Sequence, residues 1–230
     1  MLLDFDGTLS EIVARPDLAR PIEGAREAVA SLASKYGLVA LVSGRPTEEV
    51  EALVGVEGIT YAGHYGATSP GVALDPTVSS GATAAAAAVI GARVEDKGSS
   101  VAVHYRQAVE PEAARRSLLD PLQRLAGEHA LDLIEGKMVL ELVPADWPRK
   151  GSAVQRLVRS AGARAALFAG DDLADLEAFA ALDELRGEGV VAVKVAVRGA
   201  EEWPELLGAA DLVVPGPPGL VGLLRELAAP

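Results

Sequence analysis

Six short apolar runs, set apart by helical patterns, constrain this chain more than any other feature of its sequence. Met1–Leu3, Leu38–Val42, Thr60–Ala62, Ala165–Ala169, Val190–Val195 and Leu212–Val214 are continuous rather than alternating. Strands buried on both faces read that way. Helical periodicity falls near Ile22–Lys35, Thr47–Val54, Ser152–Ala161, Leu173–Leu182 and Leu220–Leu227. Strand and helix in alternation predict an α/β fold on a parallel sheet. Half of the 230 residues are hydrophobic, enough for a sizeable core.

Between the third and fourth runs the pattern changes. An alanine-rich helix pattern, Ala82–Ala92, is followed by alternation in Ser99–Tyr105. A second helix pattern runs from Pro111 to about Glu128, and a hairpin pairs Leu131–Ile134 with Met138–Val143. The order α-β-β-α-β-β predicts an antiparallel sheet with helices on one face. We expect a catalytic core of residues 1–72 and 149–230 and an inserted domain of residues 73–148, with hinges near Gly71–Pro76 and Pro144–Pro148.

Charge and composition remove several classes of function. A net charge of −12 argues against a nucleic-acid backbone as partner. With no cysteine, disulfides, thiolate metal sites and a cysteine nucleophile are excluded. Three scattered histidines are too few for a histidine-rich two-metal centre. The start lacks the basic and apolar regions of a signal peptide, and no apolar run approaches the ~18 residues of a membrane span. A cytoplasmic monomer without membrane or nucleic-acid partners is expected.

The chemistry collects at strand ends. In Leu3-Asp4-Phe5-Asp6-Gly7-Thr8-Leu9, two carboxylates one residue apart follow a strand, and Gly7 lets the chain turn and present its amides. A calcium loop starting at Asp4 would need glycine and glutamate where Leu9 and Arg15 stand, so that reading fails. The second run ends in Ser43-Gly44-Arg45, a hydroxyl, amides and a guanidinium suited to a phosphate. The fourth ends in Gly170-Asp171-Asp172, with Asp175 three residues on. Clustered carboxylates there suit a hard cation such as magnesium, although Asp172 and Asp175 equally suit helix capping. Lys150, ahead of a helix, supplies a compact positive charge.

In this order, these four pieces resemble the motifs of the haloacid-dehalogenase superfamily. More narrowly, the chain resembles trehalose-6-phosphate phosphatases through those motifs and through Gly63-His64-Tyr65-Gly66-Ala67, His104-Tyr105-Arg106, Lys150-Gly151 and the run from Gly136 to Pro144. The resemblance implies a Rossmann-like core with a C2-type cap. It implies Asp4 as nucleophile, Asp6 as general acid and base, and Thr8, Ser43 and Lys150 as phosphoryl ligands. It also implies magnesium held by Asp4, the Asp6 carbonyl and Asp171, with Asp172 or Asp175 in or behind that shell. Departures from the family pattern occur at Thr68, Ala174 and Leu176.

The reaction implied is hydrolysis of trehalose 6-phosphate through an aspartyl-phosphate. The rivals are another capped sugar phosphatase, a non-catalytic phosphosugar binder and a phosphomutase. In the hydrolytic cycle Asp6 must begin protonated, and the neighbouring carboxylate would raise its pKa. Gly7 and Gly44 would border the phosphate. Lys137 and Glu141, four apart on one presumed strand, would face sugar hydroxyls unless they form a plain surface ion pair. Arg45 and Arg106 are candidates for the substrate or for the core–cap interface, and His64 for the substrate or a structural role.

Overall fold

The computed structural model describes the chain except Ala14, residues 67–72, Lys137, residues 200–201 and Pro230. It separates into two compact units, Met1–Gly66 with Pro148–Pro230, and Ala67–Trp147.

The first unit opens with β1 (Leu2–Leu3), α1 (Ala25–Lys35), β2 (Ala40–Val42), α2 (Thr47–Val54) and β3 (Thr60–Ala62). The second unit holds α3 (Pro76–Ala87), β4 (Arg93–Asp96), β5 (Val101–His104), α4 (Pro111–Glu128), β6 (Leu131–Gly136) and β7 (Val139–Pro144). The chain then returns to the first with α5 (Lys150–Ser160), β8 (Ala165–Gly170), α6 (Asp175–Gly187), β9 (Val191–Arg198), α7 (Pro204–Ala209), β10 (Leu212–Pro215) and α8 (Gly216–Ala228).

Six parallel strands of the first unit lie in the order β10-β9-β8-β1-β2-β3. From β1 the sheet grows one way through β2 and β3, and from β8 the other way through β9 and β10. The β1/β8 boundary is therefore the topological switch point, where open α/β sheets bind ligands beyond the carboxyl ends of their strands. Both faces are covered. Leu3, Leu41 and Val195 pack with α1 and α8 residues such as Leu32 and Leu224. Leu2, Val42 and Phe168 pack with α5 and α6 residues such as Val154 and Phe179. The α/β expectation is met, and the uninterrupted apolar runs are its cause.

In the second unit the antiparallel order is β4-β5-β7-β6. Val101, Val103, Leu140 and Leu142 bury one sheet face against Val78 and Ala82 of α3 and Leu118 and Leu122 of α4. Glu95, Ala102 and Glu141 stand in register on the other face. Helix α3 begins six residues earlier than the alanine run suggests. The Asp75 side chain accepts from the Thr77 amide, and Pro76 occupies the first helical turn.

On that face His104 Nε2 lies 2.7 Å from Glu95 Oε2. That hydrogen bond is the main cause that lowers the Glu95 pKa to about 2. A depressed folded-state pKa adds stability above the unfolded value and loses it as pH falls through the folded one. We therefore expect the wild-type melting temperature to fall between about pH 4.5 and pH 2, and Glu95→Gln to flatten that fall. Calorimetry across this range checks it; parallel wild-type and variant curves would refute the assignment.

Among the described residues no helix is long and apolar enough to cross a membrane.

Candidate active site

The amide of Asp4 donates to Ala169 O at 2.9 Å, which fixes this residue where β1 passes the end of β8. Beyond it the chain folds tightly, with the Phe5 carbonyl accepting from the amides of Thr8, Leu9 and Ser10. Gly7 makes the turn possible at φ 79°. It also lets the loop approach β8, because a Cβ there would stand 1.9 Å from an Asp171 carboxylate oxygen. Thr8, fully buried, donates from Oγ1 to Asp171 Oδ1 at 3.4 Å.

The centre is acidic and buried. Asp4, Asp171 and Asp175 each bring a carboxylate oxygen within 4.8 Å of the others. Lys150, 4% exposed at the start of α5, reaches Asp4 Oδ1 at 3.0 Å and Asp175 Oδ1 at 2.6 Å. Its ammonium also lies 5.6 Å from the centre of the Tyr65 ring. Burial works against this charge, but the carboxylates of Asp175 and Asp4 outweigh it and hold the Lys150 pKa well above the ordinary lysine value. Burial likewise pushes the Asp4 carboxyl well above its ordinary range; Lys150 opposes the rise, while Asp175, Asp171 and Asp6 add to it. Three carboxylates face a single ammonium, an arrangement that a divalent cation would neutralise.

Asp175 is a less open ligand than its proximity suggests. Its Oδ2 accepts from the amides of Asp171 at 2.8 Å and Asp172 at 2.9 Å, and its Oδ1 takes Lys150. The side chain ties the β8–α6 loop to the lysine. Asp172 is half-buried and outside the trio, with Oδ1 accepting from the Leu173 amide at 2.6 Å. It is not the N-cap of α6, a position that Ala174 holds with no side-chain cap.

Ser43 is buried after β2, and its Oγ accepts from the Arg45 amide at 3.2 Å. Gly44 beside it lies against the Tyr65 hydroxyl, which would be 2.9 Å from a Cβ at that position. His64 and Tyr65 both adopt left-handed backbone angles, φ 46° and 54°, where side chains are strained. Their amides donate to Arg45 O and Ser43 O, so the strained turn braces the serine loop. Arg45 itself points at Asp6. Nε donates to Oδ2 at 2.6 Å and Nη2 to Oδ1 at 2.7 Å. Both Asp6 oxygens accept from this one guanidinium.

In the second unit Glu141 Oε1 accepts from Lys97 Nζ at 3.0 Å and Ser100 Oγ at 2.7 Å. Glu141 lies on β7, and Lys97 reaches it from the β4–β5 loop. Lys137 lies outside the described residues. Arg106 follows β5, half-buried. Sequence reasoning missed Glu49, Tyr65, Lys97 and Ser100 as partners. Glu49 left a local signal in its spacing of four from Arg45, and Tyr65 in the motif Gly63-His64-Tyr65-Gly66-Ala67.

The profile of the trehalose-phosphatase family matches residues 2–206. The chain belongs to that family. A trehalose-phosphate phosphatase of Mycobacterium avium is 37% identical over 218 residues, covering 86% of this chain and 54% of the relative. The chain thus spans about half the length of the curated relatives it matches. The C-terminal domain of a C. albicans trehalose-6-phosphate phosphatase shares its fold, with TM-score 0.81, 22% identity, and 99% and 90% of the two chains covered. A haloacid dehalogenase-like hydrolase from Bacteroides thetaiotaomicron aligns at TM-score 0.58 and 15% identity over 98% of each chain. The fold of this trehalose-phosphatase family member is accordingly a haloacid-dehalogenase-like core with an added α+β unit.

Proposed function

We propose that this chain hydrolyses trehalose 6-phosphate to trehalose and phosphate through an aspartyl-phosphate on Asp4. The supporting observation is the buried Asp4 carboxylate at the sheet's switch point, 3.0 Å from the Lys150 ammonium, in a chain of this family. Uncatalysed phosphate-ester hydrolysis requires acceleration of up to ~10²¹-fold, so charge placement and covalent catalysis are both needed.

An Asp4 oxygen attacks phosphorus, and the bond from phosphorus to the sugar oxygen breaks. Asp6 gives that oxygen its proton. Water then attacks the phosphorus of the acyl phosphate, yields a proton to Asp6 and releases Asp4. Thr8, Ser43, Lys150 and the amides around Gly7 and Gly44 hold the phosphoryl oxygens. Asp4 and Asp171, with the Asp6 carbonyl, would hold magnesium, and Asp175 and Asp172 orient their loop. When bound, the ion offsets the repulsion between carboxylate and phosphate. The unit Ala67–Trp147 supplies sugar selection through Glu141, Arg106 and Lys137, and His64 adds to it from the first unit. A cytoplasmic location and a monomeric state belong to the same proposal.

Phosphate release from trehalose 6-phosphate, sucrose 6-phosphate and glucose 6-phosphate, with magnesium, tests this. We expect kcat/KM to favour the first by roughly 10²-fold, since lost hydrogen bonds to buried polar groups are costly. Equal rates on all three would remove the substrate assignment. Hydrolysis of none would remove the phosphatase assignment.

A further inference from the structure

We infer that Arg45 is a positioning residue for Asp6 and that Glu49 makes its grip releasable, an inference that rests on the phosphatase reading above. Arg45 is buried at 9% exposure immediately after the serine of the second motif. Its guanidinium forks onto both Asp6 oxygens, at 2.6 and 2.7 Å. A planar fork fixes the plane of the carboxylate as well as its position, which a lysine cannot do. The remaining contacts hold the fork in turn. Nη2 donates to Pro16 O at 3.0 Å, Nη1 to Glu49 Oε1, and the Phe5 ring lies 5.5 Å below Cζ. With so many donors engaged inside the first unit, Arg45 is turned towards the acid–base residue.

The fork has a direction in the catalytic cycle. An Asp6 whose plane Arg45 fixes through both oxygens is aligned for the second chemical step, in which it faces the attacking water. To turn an oxygen towards the sugar oxygen in the first step it must release at least one arm. Releasing a partner normally strands a buried cation, at a cost of several kcal/mol. Here Glu49 and the Pro16 carbonyl stay with the guanidinium, so Asp6 can leave without stranding it. Asp6 remains about a third exposed, and has room to move.

The two steps can be separated with p-nitrophenyl phosphate. In the first, an Asp4 oxygen bonds to phosphorus and nitrophenolate departs with the electron pair of the broken bond, needing no proton. In the second, the water oxygen bonds to phosphorus, its proton passes to Asp6, and the bond from phosphorus to the Asp4 oxygen breaks. Arg45→Met should therefore release about one nitrophenolate per chain in a fast burst, then turn over ~10²-fold more slowly than wild type. Arg45→Lys, which keeps a charge beside Glu49 without the fork, should also burst and guards against a misfolded first variant. Burst and steady phases slowed by one common factor would mean a merely structural ion pair. Wild-type rates in both variants would mean no role. Either result, with wild type active, overturns this inference alone, whereas an inactive wild type overturns the phosphatase reading beneath it.

Discussion

Asp4→Asn is expected to abolish turnover, by on the order of 10⁴–10⁶-fold, without lowering the stability of the fold. The loss follows from removing the nucleophile, since an amide cannot form the acyl phosphate. The retained stability follows from the electrostatics. Burial, then the charges of Asp175, Asp171 and Asp6, raise the Asp4 pKa against the pull of Lys150. An acid whose pKa is raised by folding binds its proton more tightly when folded, so at neutral pH its ionised form costs stability. Asparagine removes that cost and leaves Lys150 its contact with Asp175 at 2.6 Å. We expect an unchanged or higher melting temperature in the metal-free variant. Added magnesium should stabilise wild type by about 2.7 kcal/mol at a hundredfold excess over Kd, and the variant far less. Phosphate release and calorimetry with and without magnesium read both effects. A variant that still hydrolyses its substrate, or that melts more than about 5 °C below wild type, would contradict this account.

Much of this arrangement was legible because it is written in short segments. The central strands are buried on both faces, so hydrophobicity alone marks them, and the polar residues that end them mark the ligand edge. Charged β4, at an edge of the second sheet, carries no such signal; Arg93–Asp96 reads as a loop unless the order of elements demands a strand. Helix α7 is only six residues long and starts on a proline, too short for periodicity to show. Within the site, the residues were foreseeable but their partners were not. Arg45 reads as a phosphate ligand beside Ser43, yet its fork closes on a carboxylate 39 residues away. Glu141 takes a hydrogen bond from Lys97, 44 residues distant, which no spacing announces. Such pairings depend on which loops the sheet order brings together, and local pattern contains no record of that.

Asp175→Ala is expected to destabilise the chain by about 3–5 kcal/mol, more than any other single carboxylate removal in the site. The residue is fully buried, and it satisfies two backbone amides and one ammonium at once. The sequence admits it so closely because Gly170 has no side chain, and a Cβ there would lie 2.2 Å from the Asp175 carboxyl carbon. Alanine would leave both amides and half of the Lys150 pairing uncompensated, each in a place water reaches poorly. Asparagine would keep the shape but aim an amide group at either the ammonium or the two N–H donors, so it should recover little. Asp172→Ala, by contrast, removes one hydrogen bond to the neighbouring Leu173 amide from a half-buried side chain and should cost about 1 kcal/mol. For a chain of this size the Asp175 loss corresponds to a melting temperature lower by roughly 10 °C. Lys150→Met combined with Asp175→Asn should be less damaging than the two separate losses added together, by about 1–3 kcal/mol, because each alone strands the other's charge. Additive single losses, or an Asp175→Ala chain that melts with wild type, would show that the buried trio is not held together by this carboxylate.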